Sequence, residues 1–232
     1  RLGVLGDWEN PYLTMNFDTE ANIVRALGKI VENGHMVKGY KPVYWSVVGA
    51  SALAEAEVEY HDKESFAIDV RFPVVETDKF LAAFDDESLR EIYDAISVII
   101  WTTTPWTLPS NQAVCLHADL DYALVKCDVS GSSELILLAK DMVEDVLGRY
   151  SVKNYEIIAH TKGAALENIR LQHPFVDKEV PLILGEHVTT ETGTGAVHTA
   201  PDHGLDDFFA GQEYGLGTLN LVDENGGFTP SA

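Results

Sequence analysis

Apolar side chains recur at helical spacing near the start of the chain and at strand spacing through most of the rest. Residues 18–33 place Ile23, Leu27 and Ile30 on one face, and Gly34 suits a C-terminal stop. Other side chains on that stretch are mostly polar or charged. We therefore expect one amphipathic helix there.

From about residue 44 the pattern changes to short strands, some alternating apolar and polar residues and some continuously apolar. The predicted strands are Glu55–Tyr60, Ala67–Phe72, Ser97–Thr102, Ala113–His117, Tyr122–Cys127, Leu135–Leu138, Tyr155–His160 and Ala196–Thr199. Helical patches are predicted at 77–84, 87–94, 139–148 and 204–214.

Unevenly spaced strands with scattered helices predict a mixed α+β fold, in which a barrel-like sheet carries peripheral helices. The change of pattern predicts two domains. Residues 1–43 would form a short helical arm, and residues 44–232 the sheet domain.

Composition narrows the class of protein. The chain has 232 residues, of which 46% are hydrophobic, so a buried core is expected. Its net charge of −21 has the wrong sign for a protein that grips nucleic acid through phosphates. No apolar run is long enough for a membrane helix and no signal peptide begins the chain, so a cytoplasmic protein without a membrane partner is expected. The missing initial Met indicates a fragment of a longer protein. Cys115 and Cys127 lie in strand-like runs and are expected to be buried, reduced thiols.

Residues 101–114 read WTTTPWTLPSNQAV and combine hydroxyls, aromatic rings and two prolines. Successive strand side chains alternate, so Thr102 and Thr104 should share a face and Thr103 should point away. Short hydroxyls can bind a polar ligand, and Asn111 could contact it too. The alternative is an ordinary strand edge followed by a proline-stiffened turn.

Residues 191–215 form a second candidate segment. Gly193 and Gly195 would let backbone approach a ligand closely, and His198 lies on a short strand. Asp206 and Asp207 follow in the first turn of a predicted helix. They could simply compensate the helix dipole, or one could face a cleft and hold a cation.

The sequence also bears on two kinds of catalytic site, a metal site and the nucleophile of a covalent hydrolase. His198, His203 and Asp206 could in principle ligate zinc, although Pro201 interrupts their spacing. No dinucleotide fingerprint, phosphate-binding loop or nucleophile elbow is present, so a covalent hydrolase is poorly supported.

Taken together, WTTTPWTLPSNQAV and GTGAVHTAPDHGLDDF resemble the editing domain of bacterial-type isoleucyl-tRNA synthetases. RLGVLGDWENPYL at the start of the chain and KPVYWS at residues 41–46 resemble the same family. Ser46 and Gly49 stand where many relatives have a C-x-x-C pair, so a metal there is not expected. Asp202 replaces a usual glycine. The signature motifs of the aminoacylation site are missing, and the arm returning to the synthetic domain is not included.

The resemblance implies a function. Such a domain hydrolyses the aminoacyl ester of Val-tRNA(Ile) and excludes Ile-tRNA(Ile) by pocket size. Its partners would be the 3′ acceptor end of tRNA(Ile) carrying valine and the rest of the synthetase in cis, and it would be a monomer. No cofactor is expected for editing, since ATP and Mg²⁺ serve the missing synthetic domain. A metal-dependent hydrolase using the histidine cluster, or a folded fragment without activity, are the alternatives.

The resemblance also implies roles for individual residues. Asp207 would bind the α-ammonium group of the substrate, and His198 would limit side-chain size and place substrate or water. Together with Thr102 and Thr103 they are the expected catalytic residues. The residues expected to bind substrate are Trp101, Thr104, Asn111, Gly195, Ala196 and Val197.

Overall fold

The computed structural model describes residues 3, 5–86, 88–89, 95–129 and 131–232. The chain divides into two compact units, residues 1–40 and 41–232. The break lies three residues before the end of the predicted arm.

The first unit contains helix α1, Phe17–Glu32, close to the predicted bounds. Its chain reverses at Gly34, whose φ of 73° is accessible to glycine at little cost. The amides of Gly34 and His35 close the helix end by donating to the carbonyls of Val31 and Ile30. None of the side chains on α1 is buried.

The described residues of the second unit form the strands and three further α-helices. The strands are β1 Tyr44–Ser46, β2 Ser51–Leu53, β3 Ile68–Pro73, β4 Ile96–Thr102, β5 Ala113–Leu116, β6 Asp121–Val129, β7 Ser132–Ala139, β8 Tyr155–Lys162, β9 Arg170–Gln172, β10 Glu179–Leu184 and β11 Val197–Thr199. The helices are α2 Thr77–Ala82, α3 Val143–Arg149 and α4 Leu205–Glu213.

A five-stranded sheet in the order β3-β4-β7-β6-β8 forms the main scaffold. Strands β4 and β7 run parallel, whereas the other neighbours are antiparallel. The continuous apolar run of β4 is buried, as expected for a central strand with both faces covered. This sheet therefore holds the end of β4, where the threonines begin, on a rigid base.

A four-stranded sheet in the order β11-β5-β10-β9 places the second candidate segment. The short strand β11 pairs antiparallel with β5, so that His198 lies opposite Val114. A bridge between Val74 and Leu171 connects the two sheets. Strands β1 and β2 form a separate hairpin.

The mixed α+β class is confirmed, but the expected barrel is not closed. Across the described residues the strands form three sheets, two of which are joined only by the bridge between Val74 and Leu171. The helices predicted at 77–84, 139–148 and 204–214 correspond to α2, α3 and α4.

The predictions of a strand at Glu55–Tyr60 and of a helix at 87–94 have different outcomes. The strand predicted at Glu55–Tyr60 is wrong: Glu55–Glu57 form a 3₁₀ turn, and no strand pairs with the following residues in the described part of the chain. Without a ladder partner, extended residues do not form a sheet. Of the helix predicted at 87–94, residues 87 and 90–94 lie outside the described residues.

Candidate functional site

A cavity of about 300 Å³ opens where the end of β4 approaches β11 and the start of α4. It is lined by Trp101, Thr102, Thr103, Thr104, His187, Thr189, Thr192, Val197, His198 and Asp207. The two segments singled out in the sequence therefore share one recess, although about ninety residues separate them.

The three consecutive threonines all line this cavity. Strand β4 ends at Thr102, so the expected alternation stops there, and Thr103, which was expected on the opposite face, also lines the cavity. The hydroxyl of Thr102 accepts the amide N–H of Thr104 at 3.0 Å, and the two hydroxyl oxygens lie 3.3 Å apart. The carbonyl of Thr103 accepts a hydrogen bond from Ser65 at 2.7 Å. The turn thus concentrates hydroxyl groups on one wall.

Asp207 supplies the carboxylate of the cavity. Its Oδ2 accepts the backbone N–H of Ala200 at 2.9 Å, which joins the end of β11 to the first turn of α4. Burial raises the pKa of Asp207, while this hydrogen bond and the nearby His187 act in the opposite direction. Asp206, one residue earlier, is exposed and does not line the cavity. The two acids face different ways, as the sequence suggested.

His198 is almost fully buried on the cavity wall. Its Nε2 lies 2.9 Å from the hydroxyl oxygen of Thr107, and that hydroxyl donates to the carbonyl of Thr104 at 2.9 Å. A threonine hydroxyl has one proton to donate, so here it accepts from Nε2–H of the histidine. Nδ1 is left unprotonated, buried and without a hydrogen-bond partner among the described residues.

Electrostatics keep this imidazole neutral. Burial, with smaller contributions from His203 and His173, lowers the pKa of His198 to about 4. At neutral pH the side chain is therefore a fixed dipole that presents a bare acceptor nitrogen.

Three residues expected to bind substrate lie outside the cavity lining. Asn111 is fully buried and donates its side-chain amide to the carbonyl of Ala113 at 2.7 Å. Ala196 packs in the main hydrophobic core. A Cβ on Gly195 would lie 2.1 Å from that of Ala139, so this glycine serves packing. The geometry does not support direct substrate contacts for these three.

Four residues in or beside the cavity were not singled out from the sequence. His187, Thr189 and Thr192 line it, and Thr107 holds His198. His187, Thr189 and Thr192 belong to the run HVTTET, which is rich in hydroxyl groups like residues 101–107, and this composition is a signal that could have identified them.

The arrangement of the His198, His203 and Asp206 cluster differs from that of a metal site. Nε2 of His198 faces Thr107, Nε2 of His203 lies 3.1 Å from Ser110, and Asp206 points to solvent. Over the described ranges, no three His, Cys, Asp or Glu side chains are placed to hold one metal ion.

The two cysteines are free and buried, as expected. Burial raises the pKa of Cys115 to about 12, so its thiol stays protonated and is not a nucleophile at neutral pH. In the part of the chain that the structure describes, none of the helices is long and apolar enough to cross a membrane.

Comparison with known proteins identifies the family. Residues 1–193 match the model of class I tRNA synthetases (I, L, M and V), and the chain belongs to that family. The sequence is 60% identical over 232 residues to isoleucine–tRNA ligase of Marinomonas sp. (strain MWYL1), covering 100% of this chain and 24% of the ligase. The ligase of Aeromonas salmonicida (strain A449) is 55% identical over 230 residues, with 99% and 24% covered. The resemblance to isoleucyl-tRNA synthetases is confirmed, and the chain spans about a quarter of their length.

Solved structures agree on the fold. The editing domain of cytosolic leucyl-tRNA synthetase from P. knowlesi gives a TM-score of 0.50 at 13% identity, covering 57% of this chain and 56% of that one. The corresponding P. falciparum domain with insertions 1 and 3 deleted gives 0.51 at 10% identity, covering 63% and 64%. Over about 60% of its length the chain thus shares the fold of these domains.

Proposed function

We propose that this chain hydrolyses the ester between valine and the 3′-terminal ribose of tRNA(Ile), as the editing module of an isoleucine–tRNA ligase. The observation that carries the proposal is the shared cavity. In it the wall formed by Thr102, Thr103 and Thr104, called the threonine wall below, meets neutral His198 and Asp207. The remainder of the ligase would act in cis and deliver the acceptor end.

A second hydrolytic site meets a physical need of such a ligase. Isoleucine and valine differ by one methylene, and in a hydrophobic pocket the difference between these two amino acids is known to be worth only about 1–3 kcal/mol. A first pocket therefore cannot reject the smaller amino acid adequately. A second, smaller pocket can accept valine and refuse isoleucine by steric clash.

Asp207 is the natural partner of the substrate's α-ammonium group. It is the carboxylate among the residues that line the cavity, and its remaining lone pairs can accept a charge-assisted bond. A bound ammonium would favour the ionised form that burial disfavours. Substrate binding and ionisation of Asp207 would therefore support each other.

The threonine wall and His198 would position the reacting groups. Water adds to the ester carbonyl carbon, the bond between that carbon and the ribose oxygen breaks, and the ribose oxygen takes a proton. The hydroxyls of Thr102 and Thr103 can orient the water or the ribose, and the neutral ring of His198 can limit the space beside them. Orienting reactants in this way can lower a barrier by roughly 7–11 kcal/mol.

The negative charge of the chain is consistent with a domain that depends on the rest of the ligase for its affinity to tRNA. With a net charge of −21, the chain cannot neutralise many phosphates. The isolated chain should bind tRNA weakly, and its specificity should come from the cavity. Tight binding at moderate salt in a gel-shift titration would contradict this part of the proposal.

The decisive assay incubates the chain with Val-tRNA(Ile) and with Ile-tRNA(Ile), each with and without chelator. We expect deacylation of the valyl ester alone, unaffected by chelator. Loss of activity with chelator would instead support a metal-dependent hydrolase, and hydrolysis of both esters would overturn the size-exclusion account.

A further inference from the structure

His187 occupies a position in the cavity that the proposed roles leave without a function. It lies in the loop between β10 and β11 and lines the cavity together with Asp207. Its ring packs against the backbone of Gly185, where a Cβ would lie 2.8 Å from Cε1 of His187 and 2.7 Å from Sγ of Cys115. A residue larger than glycine at position 185 would obstruct this placement of the ring.

The Nε2 atom of His187 is buried, and no hydrogen-bond partner for it exists among the described residues. The neighbouring Cys115 thiol does not supply one, because it faces the carbonyl of Leu116. Buried polar atoms nearly always have partners in folded proteins. The His187 ring is only half-buried and no described protein group holds it, so a small turn of the ring would bring this closed-off nitrogen to a ligand in the cavity.

The other polar groups of the cavity limit which part of the ligand remains for His187. Asp207 suits the ammonium group, and His198 is fixed by Thr107 with Nδ1 as an acceptor. No protein group fixes the tautomer of His187 in the described structure, so its Nε2 can either donate or accept. A hydroxyl group can pair with it in both cases, whereas a carbonyl oxygen can pair in only one.

We propose that His187 is a further ligand-binding residue of this cavity, whose Nε2 hydrogen-bonds the free hydroxyl of the terminal ribose beside the ester. The proposal rests on the proposed editing function. It adds a ribose contact from a segment that the sequence motifs did not include.

The test uses two substitutions in the full 232-residue chain. His187→Phe keeps an aromatic ring against Gly185 but removes both nitrogens. His187→Gln places an amide nitrogen near the position of Nε2. We expect kcat/KM for Val-tRNA(Ile) to fall about five- to twentyfold in His187→Phe and less than about threefold in His187→Gln. Thermal unfolding of both variants checks that the fold is retained.

A second substrate identifies the hydroxyl. Val-tRNA(Ile) whose terminal ribose lacks the free hydroxyl should be hydrolysed equally, within about twofold, by the unaltered chain and by His187→Phe. If the variant loses the same factor on both substrates, His187 contacts the hydrolytic water and the ribose assignment is overturned. If the variant loses activity on neither, His187 has no ligand role.

Binding of a non-hydrolysable probe separates this proposal from the proposed function. In 3′-valylamino-3′-deoxyadenosine an amide replaces the ester and the 2′-hydroxyl is kept. If the unaltered chain neither binds this probe nor deacylates Val-tRNA(Ile), the editing function itself is wrong. If it binds the probe, a five- to twentyfold weaker affinity in His187→Phe supports the contact, and equal affinity overturns it, whether or not the chain turns over the tRNA.

Discussion

Nε2 of His198 lies 2.9 Å from the hydroxyl oxygen of Thr107, across ninety residues of sequence. The proton of that hydroxyl is directed to the carbonyl of Thr104, so one threonine fixes both the position and the tautomer of the histidine. The wall of the cavity is therefore a connected set of groups, and disturbing Thr107 should be felt at His198.

Thr107→Val is nearly isosteric and removes the acceptor for Nε2–H. Because a buried donor is then left without a partner, we expect a loss of about 1–3 kcal/mol in the free energy of unfolding. Thr107→Ser keeps the hydroxyl and should lose less. Urea denaturation measures both, and equal stability of the valine variant would contradict the hydrogen-bond assignment.

Asp207→Asn should reduce kcat/KM for Val-tRNA(Ile) about 10- to 100-fold, because the amide cannot form a charge-assisted bond to the α-ammonium group. The amide oxygen can still accept the N–H of Ala200, so folding should be unaffected. Asp206→Asn is the matched control, since it makes the same charge change one residue away on an exposed position. Equal effects of the two substitutions would show that only overall charge matters.

Acid should destabilise the chain through His198. Its pKa is lowered from 6.5 to about 4 in the folded state, so below pH 6.5 the unfolded chain binds the proton more readily. We expect stability to fall between about pH 6.5 and 4, by up to roughly 3 kcal/mol from this residue. Protonation of Asp207, whose pKa is raised, opposes the loss at the acid end.

The contribution of His198 to this pH dependence can be isolated by difference. His198→Gln retains a donor for Thr107 but does not titrate. Chemical unfolding measures the free energy of unfolding of both chains from pH 7 to pH 4. If the two free energies converge at low pH, the assignment to His198 is supported. If they change in parallel with pH, the histidine does not contribute.

Pocket size should depend on the threonine wall. Thr102→Ser removes one methyl group and keeps the hydroxyl that accepts the amide of Thr104. Hydrolysis of Ile-tRNA(Ile) should then become measurable while Val-tRNA(Ile) is still cleaved. Thr161→Ser, on β8 outside the cavity lining, is the control and should leave the selectivity unchanged. Continued refusal of the isoleucyl ester by Thr102→Ser would count against exclusion by this wall.

Alanine substitutions at Gly195 and Gly193 separate the stability cost of crowding from that of backbone strain. Both have positive φ, 78° and 90°, so alanine strains the backbone at either position. A Cβ at Gly195 would also collide with Ala139 at 2.1 Å, whereas at Gly193 its nearest contact is Trp101 at 3.4 Å. We expect Gly195→Ala to cost at least about 1 kcal/mol more stability than Gly193→Ala in urea denaturation. A similar cost for both would show that strain alone matters.

Local sequence patterns predicted most elements because short-range physics decides them. Helix α1 follows from helical periodicity and the stop at Gly34, and β4 follows from a continuous apolar run. The strand expected at Glu55–Tyr60 failed because a strand needs a neighbour, which the local sequence does not reveal. Closure of a sheet is likewise a property of all its strands together.

The candidate site was likewise predictable in part from local sequence and in part only from the tertiary structure. The sequence alone determined the residue types of the two motifs, including Asp207 in the second one, and the family they belong to. Only the tertiary structure decided that His187 joins them, that Thr107 holds His198, that Asn111 and the backbone at Gly195 are buried, and that His198 is neutral. The physical reason is that burial, tautomer and cavity lining depend on atoms brought together from distant segments, whereas a motif records only its own neighbours.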